Sequence, residues 1–127
     1  MKKSLQYPIS SGEHIGVFDA QSTANTIWNN LTSASFTSSS TGLAVPANQA
    51  FSDLTVYNSS ISVAYVKLRA KTADGDPTTS EIPILAGGVF GTNCLGLKSG
   101  NILSISFKKA NAGDNLIFLS SFVHVEV

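Results

Sequence analysis

Residues 81–109, EIPILAGGVFGTNCLGLKSGNILSISFKK, decide how the rest of the chain is read. The stretch opens on Ile82-Pro83, passes a small-residue corner at Ala86-Gly87-Gly88, and turns again at Lys98-Ser99-Gly100-Asn101. It closes on strict alternation, with Leu103, Ile105 and Phe107 on one face and Ser104, Ser106 and Lys108 on the other. A period of two with one apolar and one polar face marks a strand with one buried and one wet side. No Gly-Lys-Ser/Thr follows the glycine corner, so it is not a phosphate loop, and its glycines are expected to supply a bend or a close strand approach.

Working outward, the same material recurs. Residues 62–71, SVAYVKLRAK, predict the longest clean strand, with Val66, Leu68 and Ala70 facing one way and Lys67, Arg69 and Lys71 the other. Phe51 to Tyr57 reads as a strand ending in an Asn58-Ser59-Ser60 turn, and Val45-Pro46 ends another, because proline cannot donate to a ladder. Ile15 to Phe18 is the first strand. Between it and Gly42 lie isolated anchors, Ile27, Trp28, Leu31 and Phe36, which fit one short helical turn or a loop pinning Trp28 to the core. Residues 72–77 and 111–114 carry turn chemistry. The last strand, NLIFLSSFVHVEV, is apolar on both sides: Ile117, Leu119, Val123 and Val125 on one, Leu116, Phe118 and Phe122 on the other. Such a strand is covered on both faces, and the expected second cover is a neighbouring subunit meeting Leu116, Phe118 and Phe122.

A shift of 41 residues lays Leu54-Thr55-Val56 over Leu95-Gly96-Leu97, Ile61 over Ile102, Val66 over Phe107 and Lys67 over Lys108. Two such units suggest paired hairpins facing each other across a sandwich. No helical pattern lasts ten residues with caps, and strands recur at short spacing. The expected fold is all-β: a single-domain antiparallel β-sandwich, jelly-roll-like, over residues 15–127, preceded by an extended N-terminal arm over residues 1–14.

The 127 residues suffice for one core. Charged residues are 13%, well below the roughly 25% usual in soluble domains; 19 Ser and 10 Thr take their place. With 43% hydrophobic residues and zero net charge the chain should fold, and it has no electrostatic pull toward nucleic acid or anionic membranes. The single cysteine, Cys94, allows no internal disulfide and reads as a small buried hydrophobe. The first residues supply no apolar core for a Sec leader and no run approaches a membrane span, so synthesis in the cytoplasm is expected. Virion proteins combine synthesis inside a cell with an exposed, aggregation-resistant surface.

No motif performs chemistry. His14 and His124 sit at opposite ends of the chain without a third ligand at suitable spacing, and Asp74-Gly75-Asp76 lacks the further ligands of a calcium loop. There is no nucleophile elbow, so no catalytic residue, metal or cofactor is assigned. The acceptor patterns at Asn30 and Asn58 read as coincidental. Lys67, Arg69 and Lys71 form the one basic stripe, which either keeps a sheet face soluble or meets an acidic partner surface. Trp28, Tyr57 and Tyr65 are candidates for a carbohydrate-stacking surface, Tyr65 foremost because it shares its strand face with Lys67.

Ile82-Pro83-x-x-Ala86-Gly87-Gly88-x-Phe90, the run 100–105, the run 51–58 and the Gly113-Asp114 turn together resemble small accessory proteins of tailed-bacteriophage virions, over about residues 42–127. The resemblance implies a jelly-roll-like sandwich, often trimeric, that decorates or cements a capsid or forms part of a fibre. The expected partners are further copies of the chain and a major capsid or other virion protein. The N-terminal residues Lys2, Lys3, Leu5, Tyr7 and Ile9 are the expected capsid-docking arm. A carbohydrate- or receptor-binding module of a tail or head fibre is the alternative.

Overall fold

A computed structural model describes residues 14–70, 75, 78–91 and 102–124. The arm residues Lys2, Lys3, Leu5, Tyr7 and Ile9, and also Lys71, Cys94 and Val125, lie outside them. Among the described residues nine strands are formed: β1 (His14–Asp19), β2 (Asn29–Leu31), β3 (Thr37–Ser38), β4 (Gln49–Asn58), β5 (Ala64–Ala70), β6 (Ile82–Ile84), β7 (Val89–Gly91), β8 (Ile102–Lys108) and β9 (Leu116–His124). A single turn of 3-10 helix, Ser33–Ser35, is the one helical element among the described residues.

All pairings between strands are antiparallel, and the hydrogen-bonded path runs β3-β1-β9-β4-β8-β5-β6, with β7 on β4 and β2 on β8. The link between β4 and β8 is a single register pair, Phe51 with Ile102. About this corner the sheet folds over into two layers, β3-β1-β9-β4-β7 and β2-β8-β5-β6. Ring contacts show the layers facing each other. Phe107 of β8 lies with its ring centre 5.1 Å from that of Phe118 on β9 and 6.2 Å from that of Phe18 on β1, two strands to which β8 is not hydrogen-bonded. The pairs β1–β9, β2–β8, β4–β7 and β5–β6 nest one inside the next. That nesting is a jelly roll, and it confirms the expected all-β sandwich.

The core holds Phe36, Phe51, Phe107, Phe118 and Phe122, all essentially unexposed, with Leu54, Val66, Leu68, Ile105 and Leu116 filling between them. Each buried ring contributes about 1.5–3 kcal/mol by burial, and the edge-on pairs such as Phe36 with Phe51 (5.3 Å) and Phe122 (5.1 Å) add roughly 0.5–1.5 kcal/mol. Gly16 makes room for this packing. A Cβ there would stand 2.9 Å from atoms of Phe122, Phe36 and Val45.

The alternation of β5 is realised as expected, with Val66 and Leu68 inward and Lys67 and Arg69 outward. β8 follows it from Ile105 onward, with Ile105 and Phe107 inward and Ser106 and Lys108 outward. Before that it breaks: a register shift opposite Arg69 and Ala70 leaves the expected core residue Leu103 only half-buried, while Ile102 and Ser104 are buried. The corner at residues 85–88 is a tight turn between β6 and β7, with Gly87 at φ 72 and the Gly88 N–H donating to the Leu85 carbonyl at 2.8 Å. A glycine at positive φ in the third position suits a type II turn. Pro83 sits on β6 at the sheet edge, where its missing donor costs nothing.

Three expectations are corrected. Leu116, Phe118 and Phe122 are each 0% exposed, covered by the second layer of their own chain, and so do not form a subunit interface. It is the other side of β9 that is open. Trp28 is not pinned to the core; it is half-exposed on the outside of the second layer. The 41-residue repeat does not describe facing hairpins: Val66 and Phe107 are register neighbours within one layer, and Ile61 is 93% exposed where Ile102 is buried.

Candidate functional site

The two layers present opposite chemistries on their outer faces. On the first layer, antiparallel register sets Val17 beside Leu119 and Leu119 beside Thr55, and the next row carries Asp19, Ile117, Tyr57 and Val89. Ile15, Val17, Tyr57, Val89 and Leu119 are exposed, from 37% at Val17 to 66% at Val89. Ile117 and Val123 are half-buried between them. One face of one sheet thus bears a contiguous apolar surface. Single exposed apolar residues are ordinary, whereas a contiguous patch marks an interaction surface.

On the second layer the outer rows are Tyr65 beside Lys108, Lys67 beside Ser106 and Asn30, and Arg69 beside Ser104. The loop before β2 lays Trp28 over this surface. The Lys67 ammonium stands 4.1 Å from the Trp28 ring centre, and Lys108 reaches both Trp28 (5.0 Å) and Tyr65 (5.8 Å). The attraction of a cation for a ring face is worth about 0.5–1 kcal/mol at such exposed sites. Neither ammonium meets a carboxylate among the described residues. The Ser106 hydroxyl and the Asn30 Oδ1 are hydrogen-bonded at 3.2 Å.

Two hollows flank this cluster. One, of about 340 Å³, lies against Tyr65, Lys108, Thr26 and Val63. The other, of about 330 Å³, is lined by Asn30, Thr32, Ser33, Gln49, Arg69 and Ser104. Gln49 is buried and its Oε1 has no partner among the described residues, while the Ser33 hydroxyl donates to the Pro46 carbonyl (2.7 Å) and accepts from the Gln49 N–H (3.2 Å).

Lys109 holds the Trp28 loop in place. The alternation that sends Lys108 outward sends Lys109 inward. It is fully buried, with its ammonium donating to the carbonyls of Ala20 (3.0 Å) and Gln21 (3.2 Å). Its own carbonyl accepts from the Thr26 N–H at 2.8 Å.

Of the residues expected at sites, Lys67 and Arg69 lie on the second layer's outer face as read, and Tyr65 joins them with Trp28. Tyr57 is separated from these two, on the outside of the first layer. Asn58 is completely buried with its amide engaged, which removes it as a glycosylation acceptor. Lys108 and Lys109 as anchors of this face were not singled out by sequence reading; the two successive lysines at a strand end were the available sign. No protein-family model, curated protein or solved structure matches the chain.

Proposed function

We propose that the chain is a non-enzymatic structural protein of a virus particle, working through self-association and docking, with the open apolar face of the first layer as the surface that meets further copies. The observation that carries the reading is the run of Ile15, Val17, Leu119, Ile117, Tyr57 and Val89 across adjacent strands. The jelly-roll fold alone does not carry it, since the same architecture serves lectins and cupins as well as capsids.

A second copy is the occupant the surface suits. Interfaces between identical subunits are more apolar than other contacts, and a sheet face can be self-complementary. The three long strands β1, β9 and β4, with the short β3 and β7 at the margins, give a footprint of about 15 Å by 20 Å. That is the scale of a small, weak contact, so several such contacts per copy are needed for a stable assembly. Association through sheet edges is disfavoured. The outermost strands are two or three residues long, and β6 carries a proline.

Sedimentation equilibrium at micromolar concentration tests this. The expected result is a discrete oligomer, a trimer foremost, that Leu119→Asp converts to a monomer with an unchanged melting temperature. A wild-type protein that stays monomeric up to about 100 μM, well above the Kd range of useful subunit contacts, ends the self-association reading.

A further inference from the structure

We propose that the outer face of the second layer is a binding site for an acidic polysaccharide, a function separate from self-association through the opposite face. Three features of the same surface point to this class of ligand. Two ammonium groups, Lys67 and Lys108, stand within 5.0 Å of one ring centre without a carboxylate partner among the described residues, so they offer concentrated positive charge to an anion. The rings of Trp28 and Tyr65 offer apolar surface of the kind against which the C–H faces of a sugar pack. Between and beside them stand hydroxyl and amide groups suited to sugar hydroxyls. Among the described residues the Ser106–Asn30 pair leaves the Asn30 amide nitrogen without a partner, the Gln49 Oε1 has none either, and Gln49 lines the adjoining hollow.

The layout favours a polymer over a small anion. The two hollows lie at the ends of one row of β8 side chains, Lys108 at one end and Ser104 at the other, about 13 Å apart at the rise of a strand. An extended chain of several sugars fills both hollows, meeting Lys108 in the first and passing Lys67 on the way to the second; a single ion uses only the lysines. An acidic peptide satisfies the charge and leaves the row of amides and hydroxyls unused.

Isothermal titration of the full chain tests the site with three acidic polysaccharides (polygalacturonate, polysialic acid and heparin), with neutral dextran, and with poly-L-glutamate. The expected result is binding of at least one of the three, at least tenfold weaker binding of dextran and of poly-L-glutamate, and at least a tenfold loss in the Lys67→Gln/Lys108→Gln double variant. Both lysines are on the outside of the sandwich, so that variant should stay folded, with a melting temperature lowered by a few degrees at most for the lost Trp28 contacts. Tyr65→Ala should weaken binding severalfold, and Leu119→Asp should leave it unchanged. Absence of binding to all three polymers, equal binding of poly-L-glutamate or dextran, or full affinity in the double variant overturns the proposal.

Discussion

Gly16 and Asn58 show how much of this fold rests on single side chains. Gly16 lies on β1 directly beneath the Phe36–Phe122 contact, and the space for a Cβ is already occupied from three directions at 2.9 Å. Gly16→Ala is therefore expected to cost about 1–3 kcal/mol by overpacking, read as a lowered urea midpoint. A midpoint equal to the wild type's would mean that the rings shift freely. Asn58 is a fully buried junction: its Nδ2 donates to the carbonyls of Ser62 (2.8 Å) and Ile84 (2.9 Å), and its Oδ1 accepts from the Ser60 N–H (3.0 Å). Three segments close on it. Asn58→Ala strands the buried Ile84 carbonyl, the part-buried Ser62 carbonyl and the Ser60 amide, and a loss of about 3 kcal/mol is expected in the same assay, more than a surface asparagine could give. Sequence reading places Asn58 in a turn but has no means of finding its partners, because Ile84 is brought to it only by the sheet. Trp28 failed for the mirror-image reason. A lone tryptophan in a polar loop reads as an anchor by size, and only the fold supplies the two lysines that let it stay outside.

At the scale of elements, alternation was legible wherever a strand ran without interruption, as in β5 and in β8 from Ile105 onward. It was not legible in β4, where the register shifts between Ser52 and Thr55 and Asp53 takes φ 55. The bulge moves the inward phase from Phe51 to Leu54, Val56 and Asn58, so one period cannot describe the strand. Two hydroxyls of β9 then meet the Ser52 carbonyl, Ser120 Oγ at 3.0 Å and Ser121 Oγ at 2.8 Å. The single Ser120 hydroxyl proton is shared between the Ser52 carbonyl and the Ser121 carbonyl at 2.7 Å, so Ser121→Ala leaves Ser120 able to serve Ser52. Each single alanine variant should cost little, about 0.5 kcal/mol, and the double variant clearly more than their sum, about 1–2 kcal/mol. Strict additivity in a double-mutant cycle would show that the hydroxyls do not share the role. Lys109 does comparable work for the loop 20–28. Lys109→Met keeps the length of the side chain and removes both donated hydrogen bonds, so a destabilisation of about 1–3 kcal/mol is expected. Faster hydrogen exchange at the Thr26 amide, which bonds the Lys109 carbonyl, should accompany it. Unchanged exchange there would detach the buried lysine from loop anchoring.

For the whole molecule, the two-sided apolar character of β9 was visible in the chain, but which side turns inward was not. Of the two sides, the one with Phe118 and Phe122, together with Leu116, carries the larger apolar area and wins the interior, where that area is best removed from water, leaving Leu119 and its neighbours outside. The molecule thus has one apolar face, one aromatic and cationic face, and short blunted edges, so a copy packed on the first face leaves the second free. Among the described residues the core is drawn from Phe18 onward, and removing residues 1–10 is expected to leave the sandwich folded. The expected melting temperature of that truncated chain is within about 2 °C of the full chain's, a difference well under 1 kcal/mol for a domain of this size. If the arm residues Lys2, Lys3, Leu5, Tyr7 and Ile9 dock on a capsid, the truncated chain should fail to co-sediment with particles that capture the full chain, while its self-association persists. Undiminished co-sedimentation would move the docking function from the arm to the faces of the sandwich, and the Leu119→Asp variant in the same assay would then say which face.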